Sequence, residues 1–330
     1  MAFDTLRKAQ PENVRLLENN RRKNRLAHAY VFEGMAGTKK MDTALFFASM
    51  LLCDEEDGPC GTCKNCRRIA HETHPNVYVI RPDKKTITKS MIQDLQTEFH
   101  KTAVETGAKI YIIDEAERMN AHAANALLKF LEEPHNEIFA LLLTENATKL
   151  LPTIRSRSQT LHFHTIPHSI ILEELKSEGY DDEDARVAAA LSRTTEAAKA
   201  WIGRENFRDL IELTTALYEA YAEGEPLIIT FEREHFGVLR QPDDYLAFFD
   251  VMSLYQKDLV YGKMKHYTSI VFQSQRPTME RILPQKSQAM LVEELERMVD
   301  VQARIDQYIN VRLAMDNVLL LMERRMNHGT

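Results

Sequence analysis

The four cysteines are the residues whose type and spacing most directly predict chemistry. Cys60, Cys63 and Cys66 form a Cys-x-x-Cys-x-x-Cys run, and Cys53 precedes it by six intervening residues. No cysteine is left over, because the chain has four. Four thiolates at such intervals can close a tetrahedron around one zinc ion with no vacancy for water, so the ion holds structure and does no catalysis. The spacing therefore predicts a structural Zn²⁺ module at about residues 50–74.

Two other interpretations of the cysteines stay open, namely two disulfides or four unrelated thiols. Disulfides require an oxidising compartment, and no signal-peptide pattern is present, so we expect a reducing, cytoplasmic environment. Lys64, Arg67 and Arg68 fit a zinc site, because zinc with four thiolates carries a net charge of about minus two. His71 and His74 lie just beyond and could replace a ligand, although the full set of cysteines does not need them.

A glycine-containing loop follows the first strand-like run, and it contains Gly34, Gly37 and Lys40. A working phosphate loop reads Gly-x-x-x-x-Gly-Lys-Ser/Thr, in which the lysine reaches the phosphates and the hydroxyl holds Mg²⁺. Here Lys39 takes the second glycine position and Met41 takes the hydroxyl position. A side chain is disfavoured in that turn, and a thioether is a poor ligand for Mg²⁺. The loop therefore predicts weak or absent ATP or ADP binding and negligible hydrolysis.

Two carboxylates, Asp114 and Glu115, follow the apolar run of residues 110–113, as in a Walker B element. In that element the first carboxylate holds the metal and the second polarises the attacking water. With Met41 opposite, Asp114 lacks half of its metal site. The two acids could also simply begin the next helix, where they would favour the helix dipole. We expect no independent catalysis from this pair.

Composition limits the remaining alternatives. The chain has 330 residues, 44% of them hydrophobic, which is enough for two or three domains. Its formal net charge of −7 argues against a protein that coats nucleic acid by bulk electrostatics. Arg21, Arg22, Lys23 and Arg25 form a local basic cluster, although such clusters are more often solvated surface. No apolar run approaches the ~20 residues that span a bilayer, so no membrane association is expected.

Strand-like and helical runs alternate in the first half of the chain. Strands are predicted at 29–32, 77–80, 109–113, 139–144 and 160–163, with helices at 41–52, 90–99 and 121–133. Pro134 is expected to stop the last of these helices. This alternation predicts a parallel sheet with crossover helices.

After Pro167 only helical patterns are found, at 169–179, 182–192, 195–203 and from about 207 onward. Residues 290–326 carry one apolar stripe, which is typical of core or of a helix–helix seam. The stripe comprises Leu291, Leu295, Met298, Ile305, Ile309 and Leu313. We expect an α/β P-loop domain with the zinc module at 1–166, a small helical domain at 167–206 and an all-α domain at 207–330.

Four stretches together resemble the bacterial clamp-loader subunits of the AAA+ class, over essentially the whole chain. They are the four-cysteine insertion, Asn-Ala-Leu-Leu-Lys-Phe-Leu-Glu-Glu-Pro at 125–134, Thr-Ile-Arg-Ser-Arg-Ser at 153–158 and Asn-Val-Arg-Leu-Ala-Met at 310–315. The resemblance implies an AAA+ α/β domain, a helical lid domain and a helical collar through which subunits assemble.

The resemblance also implies a role for Arg157. The family's Ser-Arg-Cys motif presents an arginine to the ATP site of a neighbouring subunit, and here Ser156-Arg157-Ser158 keeps the arginine and replaces the cysteine. A planar, permanently charged guanidinium can neutralise charge on a transferred γ-phosphoryl group. An ordinary salt-bridged surface arginine is the alternative, and Arg155 nearby could face a partner instead.

The damaged phosphate loop is similar to that of the family's non-hydrolysing stator subunit. The resemblance implies assembly with gamma/tau-like and delta-like clamp-loader subunits, which together load the sliding clamp onto primed DNA. The cluster from Arg21 to Arg25, or the helix around Lys89, would then contact DNA phosphates. Two alternatives stay open: an ATP-hydrolysing motor, which Lys40 and Glu115 favour, and a zinc-dependent nucleic-acid binder, which the acidic net charge opposes.

Overall fold

The computed structural model describes residues 3–55, 58–100, 107–132, 137–235, 237–304 and 311–324. The chain divides into two compact units, Met1–Ile170 and Ile171–Thr330. The first unit is an α/β structure and the second is helical in its described part. The finer division at 206/207 into lid and collar domains stays a prediction.

A five-stranded sheet forms the centre of the first unit. Its strands are β1 Ala29–Glu33, β2 Val77–Ile80, β3 Lys109–Ile113, β4 Ile138–Thr144 and β5 Gln159–His162. The strand order is β2-β3-β4-β1-β5, and all pairings are parallel. Near-continuous apolar runs are typical of strands that are buried on both faces. The predicted parallel sheet is confirmed, with strand bounds within one residue of the expected ones.

Helices cover both faces of this sheet. They are α1 Asp4–Ala9, α2 Pro11–Arg22, α3 Lys40–Leu52, α4 Lys64–Ala70, α5 Lys89–His100, α6 Ala121–Glu132 and α7 Pro152–Arg155. Neighbouring residues of β1 point to opposite faces, so Phe32 packs in one hydrophobic cluster and Val31 in another. Glu133 and Pro134, which were predicted to end α6, lie outside the described residues.

The second unit consists of helices around the long helix α13. Its helices are α8 His168–Ser177, α9 Asp182–Ala190, α10 Thr195–Ile202, α11 Phe207–Glu223, α12 Leu227–Glu234, α13 Pro242–Lys263, α14 Arg276–Ile282, α15 Gln288–Ala303 and α16 Val311–Arg324. Helix α8 begins just before the first residue of the unit. Helix α13 packs against both α11 and α15. Over the described ranges of the chain, none of the helices has the length and apolar character that crossing a membrane requires.

The apolar stripe predicted over residues 290–326 is not buried at Leu313, its one described member after Met298. Leu291 and Met298 are fully buried as expected, whereas Leu313 is 59% exposed. A stripe keeps its face only along a continuous helix, and α15 ends at Ala303 while α16 begins at Val311. Ile305 and Ile309 lie outside the described residues.

A buried polar network joins four segments of the second unit. The Glu294 carboxylate accepts hydrogen bonds from Lys286 Nζ at 3.1 Å, the Tyr221 hydroxyl at 3.0 Å and Gln256 Nε2 at 3.0 Å. The side chains of Lys286 and Glu294 are both 0% exposed. Since α11, α13, α15 and the segment before α15 each supply one member, the network specifies how these elements pack.

Candidate metal centre and phosphate-loop site

Cys53, Cys60, Cys63 and Cys66 converge in the segment from the end of α3 to α4. Their Sγ atoms all lie within 4.8 Å of one another, and Cys53 Sγ is 3.9 Å from Cys63 Sγ. A zinc–thiolate bond of about 2.3 Å gives a tetrahedron with edges of about 3.8 Å. All four thiols are free, so the structure does not pair them as disulfides. The four cysteines can bind one metal ion as a set.

Backbone N–H groups turn toward these sulfurs. Cys63 precedes α4, and its Sγ accepts from Cys66 N at 3.3 Å. The Thr62 backbone N–H, with help from the Thr62 hydroxyl and Cys63 N–H, lowers the pKa of the Cys60 thiol to about 6. Burial raises the pKa of Cys53 and of Cys66. A bound divalent cation would offset that burial cost, because it favours the thiolate form of each ligand.

Gly58 stands where the module approaches itself most closely. A Cβ on Gly58 would lie 2.5 Å from both Cβ and Sγ of Cys53. The Gly58 carbonyl accepts from Arg21 Nη1 at 2.7 Å, which ties the module to the end of α2. Glycine is therefore required here by space around a candidate ligand.

We expect Gly58→Ala to weaken metal binding by about tenfold or more, as changes beside metal ligands commonly do, because the added methyl group must displace the Cys53 sulfur. The measurement is metal content per chain after dialysis against a competing chelator. Gly203→Ala is the matched control, since its Cβ would meet no heavy atom closer than 3.3 Å. Equal metal retention by the two variants would contradict the expectation.

His74 supports the module and does not point to the sulfurs. Its Nδ1 accepts from Asn76 N at 3.1 Å, and its Nε2 lies 3.2 Å from Asn65 Oδ1. Asn65 Nδ2 in turn donates to the Leu52 carbonyl at 3.0 Å. Both ring nitrogens are thus engaged, so the alternative in which His74 replaces a cysteine is wrong.

The glycine-containing loop connects β1 to α3, as the sequence predicts. A Cβ on Gly34 would lie 2.6 Å from the Phe163 carbonyl oxygen, and Gly37 has φ of 77°. Lys39 has φ of 60° and ψ of 28°, the left-handed conformation that favours glycine. Lys40 Nζ donates to the Met35 carbonyl at 2.8 Å and to the Gly34 carbonyl. The lysine ammonium is therefore bound by carbonyl groups of its own loop.

A cavity of about 680 Å³ beside this loop brings together Gly37, Lys40, Asp114 and Glu115. Its charged lining comprises the acids Asp42, Asp114, Glu115, Glu117 and Glu145 and the bases Lys39, Lys40, Arg118 and Lys149. Burial lowers the pKa of Lys40, and the charges of Glu145, Glu117 and Asp114 partly oppose that shift. With five acids against four bases, the cavity offers no excess positive charge to a triphosphate.

The two carboxylates after β3 already interact with cations of the same chain. Glu115 Oε2 lies 2.5 Å from Arg118 Nε, and a short 3₁₀ turn, Ala116–Arg118, follows directly. Asp114 Oδ2 lies 3.8 Å from Arg81 Nε. Arg81 also binds both carboxylate oxygens of Glu72, at 2.7 and 2.6 Å, and lowers the pKa of Glu72. An arginine thus faces Asp114 from the end of β2.

Arg157 lies in the turn between α7 and β5, and its side chain is 38% exposed. Its Nη2 is 3.1 Å from Glu132 Oε1, and its Nη1 donates to the Thr153 carbonyl at 3.2 Å. Arg155 is exposed as well, and its side chain has no hydrogen bond or ion pair with the residues that the structure describes. The two arginines therefore differ in how firmly they are held.

Arg81 and Glu132 were not predicted as site residues from the sequence. Arg81 follows β2, and its approach to Asp114 depends on β2 and β3 being neighbours whose carboxyl ends meet at one edge of the sheet. Glu132 belongs to the stretch at 125–134, but its partner is distant in sequence. Only the packing of α6 beside α7 brings the two side chains together.

The fold and the site together define a class of protein. A parallel sheet in this order, with a glycine-containing loop after β1 and two carboxylates after β3, is an α/β P-loop domain of the AAA+ class. Here that domain carries a four-cysteine insertion and is followed by a helical part. The predicted fold class is confirmed.

Comparison with known proteins narrows the class to one family. The family model "DNA polymerase III, delta subunit" matches residues 9–167. The DNA polymerase III subunit delta' of Bacillus subtilis is 30% identical over 98% of this chain and 99% of its own length. The chain belongs to the DNA polymerase III delta' family, which confirms the resemblance predicted from its motifs.

Two further relatives match shorter parts. The DNA polymerase III subunit delta' of Pseudomonas aeruginosa is 42% identical over 40% of this chain and 41% of its own length. The DNA polymerase III subunit tau of Escherichia coli is 31% identical over 65% of this chain and 32% of its own length. The delta' protein from Bacillus subtilis therefore aligns over the helical part as well, whereas this tau protein leaves about a third of the chain unmatched.

Proposed function

We propose that this chain is a stator subunit of the bacterial DNA polymerase III clamp loader. It does not hydrolyse ATP itself, supplies Arg157 to the ATP site of a neighbouring subunit and helps to load the sliding clamp onto primed DNA. Its partners are gamma/tau-like and delta-like subunits, and it works within the polymerase holoenzyme in the cytoplasm. The whole-length similarity to a delta' subunit supports the family part of this proposal.

The phosphate loop is the single observation that carries the non-hydrolysing role. Lys39 adopts a left-handed conformation at the position where a working loop has glycine. Met41, which lines the same cavity, offers no hard oxygen to Mg²⁺. Arg81 Nε lies 3.8 Å from Asp114 Oδ2, so this carboxylate already faces a cation of its own chain. Each departure weakens the binding of a magnesium-bound triphosphate.

Zinc is the metal that best fits the four-cysteine module. Soft thiolates select zinc over magnesium or calcium, and four protein ligands leave no open position for chemistry. We assign the ion a structural role: it fixes the segment that leads from α3 into α4. This role does not depend on the proposal for Arg157.

Exposed cations also support a weak contact with the DNA backbone. Arg22, Lys23 and Arg25 are exposed at the end of α2, and Lys89 is exposed at the start of α5. Arg21, in contrast, is committed to the Gly58 carbonyl. We therefore assign any phosphate contact near α2 to the three exposed residues.

An ATP-hydrolysing motor is the alternative, and it is favoured by the presence of Lys40, Asp114 and Glu115 in one cavity. An ATPase assay of the isolated chain distinguishes the two functions. We expect it to release no phosphate from ATP and Mg²⁺ above the level of Lys40→Ala. We also expect the double variant Lys39→Gly and Met41→Thr to bind ATP more tightly than the natural chain, because both defects are repaired. Turnover by the natural chain that depends on Lys40 would favour the motor.

A further inference from the structure

Arg157 and Glu132 connect two elements whose backbones are fixed by the same hydrophobic core. Leu131, immediately before Glu132, is 2% exposed, and Ile154, three residues before Arg157, is fully buried. Leu131 and Ile154 both belong to one buried hydrophobic cluster of the first unit. This core therefore holds the two backbone positions close together, and the partly exposed side chains meet with 3.1 Å between Arg157 Nη2 and Glu132 Oε1.

We propose that Glu132 is a positioning residue that holds the Arg157 guanidinium in place for the phosphate of a neighbouring subunit. This inference rests on the proposed function, since it requires that Arg157 acts in trans. Glu132 touches no substrate under this proposal. It acts only by limiting the rotamers that Arg157 samples before the neighbour arrives.

The hydrogen bonds of Arg157 leave donors free for a ligand. A guanidinium has five N–H donors, and two of its bonds in this structure go to Glu132 and to the Thr153 carbonyl. The remaining N–H groups can meet a phosphate oxygen while both bonds persist. The pair is thus compatible with a working arginine and need not break when the ring forms.

The contrast with Arg155 gives a second argument. Arg155 is exposed and has no ion pair with the residues that the structure describes, whereas Arg157 is paired with Glu132. The pairing singles out Arg157 of the two arginines.

The test uses the reconstituted loader with only the ATP site that receives Arg157 left active, the phosphate-loop lysines of the other sites being substituted, and measures steady-state ATP turnover. We expect Glu132→Ala to lower kcat about threefold to fivefold, the size of an exposed ion pair, with the KM for ATP unchanged. Glu132→Gln keeps an acceptor oxygen and should lose less. In an Arg157→Ala background, Glu132→Ala should have no further effect, because coupled residues are not additive. Lys129→Gln, an exposed change on the same helix, is the control.

The outcomes separate the two proposals. If ATP turnover is slow with Arg157→Ala but normal with Glu132→Ala, this inference is overturned and the proposed function stays intact. An equal loss from Glu132→Ala in both backgrounds also overturns it, because the effect would then be structural. A normal rate for Arg157→Ala overturns the proposed function and this inference with it. Glu132→Gln supplies the same comparison should the alanine variant fold poorly.

Discussion

Arg157→Ala is expected to lower ATP turnover about 10³-fold or more at the neighbouring site that receives this arginine. Removing an arginine that stabilises charge on a transferred phosphoryl group has an effect of that size in related chemistry. The guanidinium lies on the surface with its backbone anchored by buried Ile154, so a partner can reach it without rearrangement of the fold. The variant should still assemble, because the substitution removes one exposed side chain.

The measurement must isolate one ATP site. Partner subunits whose other ATP sites carry a substituted phosphate-loop lysine leave a single active site, which is then assayed with each Arg157 variant. Arg155→Ala should change the rate by less than about twofold, and Arg157→Lys should fall between wild type and alanine, since lysine keeps the charge but not the planar fork. A slow Arg155→Ala variant with a normal Arg157→Ala variant would reverse the assignment.

Local sequence patterns predicted the metal centre and the phosphate loop because their members are close in the chain. The four cysteines lie within one short segment, so their sulfur atoms can come together without any contact between distant parts of the chain. The conflict at Lys39 was also predictable, because the motif itself states which position needs glycine, and Lys39 has a left-handed φ of 60° at that position.

Interactions between distant segments were not predictable in the same way. Arg81 faces Asp114 only because β2 and β3 are neighbours in the sheet. The end of α15 was missed because residues 304–310 contain no glycine or proline, which are the usual signals of a helix end. Helices α1 and α2 were not predicted, since the motifs begin only at β1. Gln10, between them, donates to the Thr38 carbonyl of the phosphate loop at 3.1 Å.

Glu294→Ala is expected to lower the free energy of unfolding of the second unit by about 3 to 5 kcal/mol. Breaking a buried ion pair by removing one partner leaves an uncompensated buried charge, and that cost is of this size. Here the remaining charge is Lys286, whose ammonium lies 4.7 Å from the Tyr221 ring centroid in a fully buried position. The hydroxyl of Tyr221 and the amide of Gln256 also lose their carboxylate acceptor.

Replacing both charged residues together should lower the free energy of unfolding much less. Lys286→Met with Glu294→Leu removes the buried charge and keeps apolar volume, so we expect a loss of about 1 to 3 kcal/mol, mainly from the Tyr221 hydroxyl. Adding Tyr221→Phe should recover part of that loss. Urea unfolding followed by tryptophan fluorescence reports on this unit, because Trp201 is the one tryptophan of the chain and lies in α10. If the double variant were as unstable as Glu294→Ala, the network would stabilise the unit by its packing and not by its charge balance.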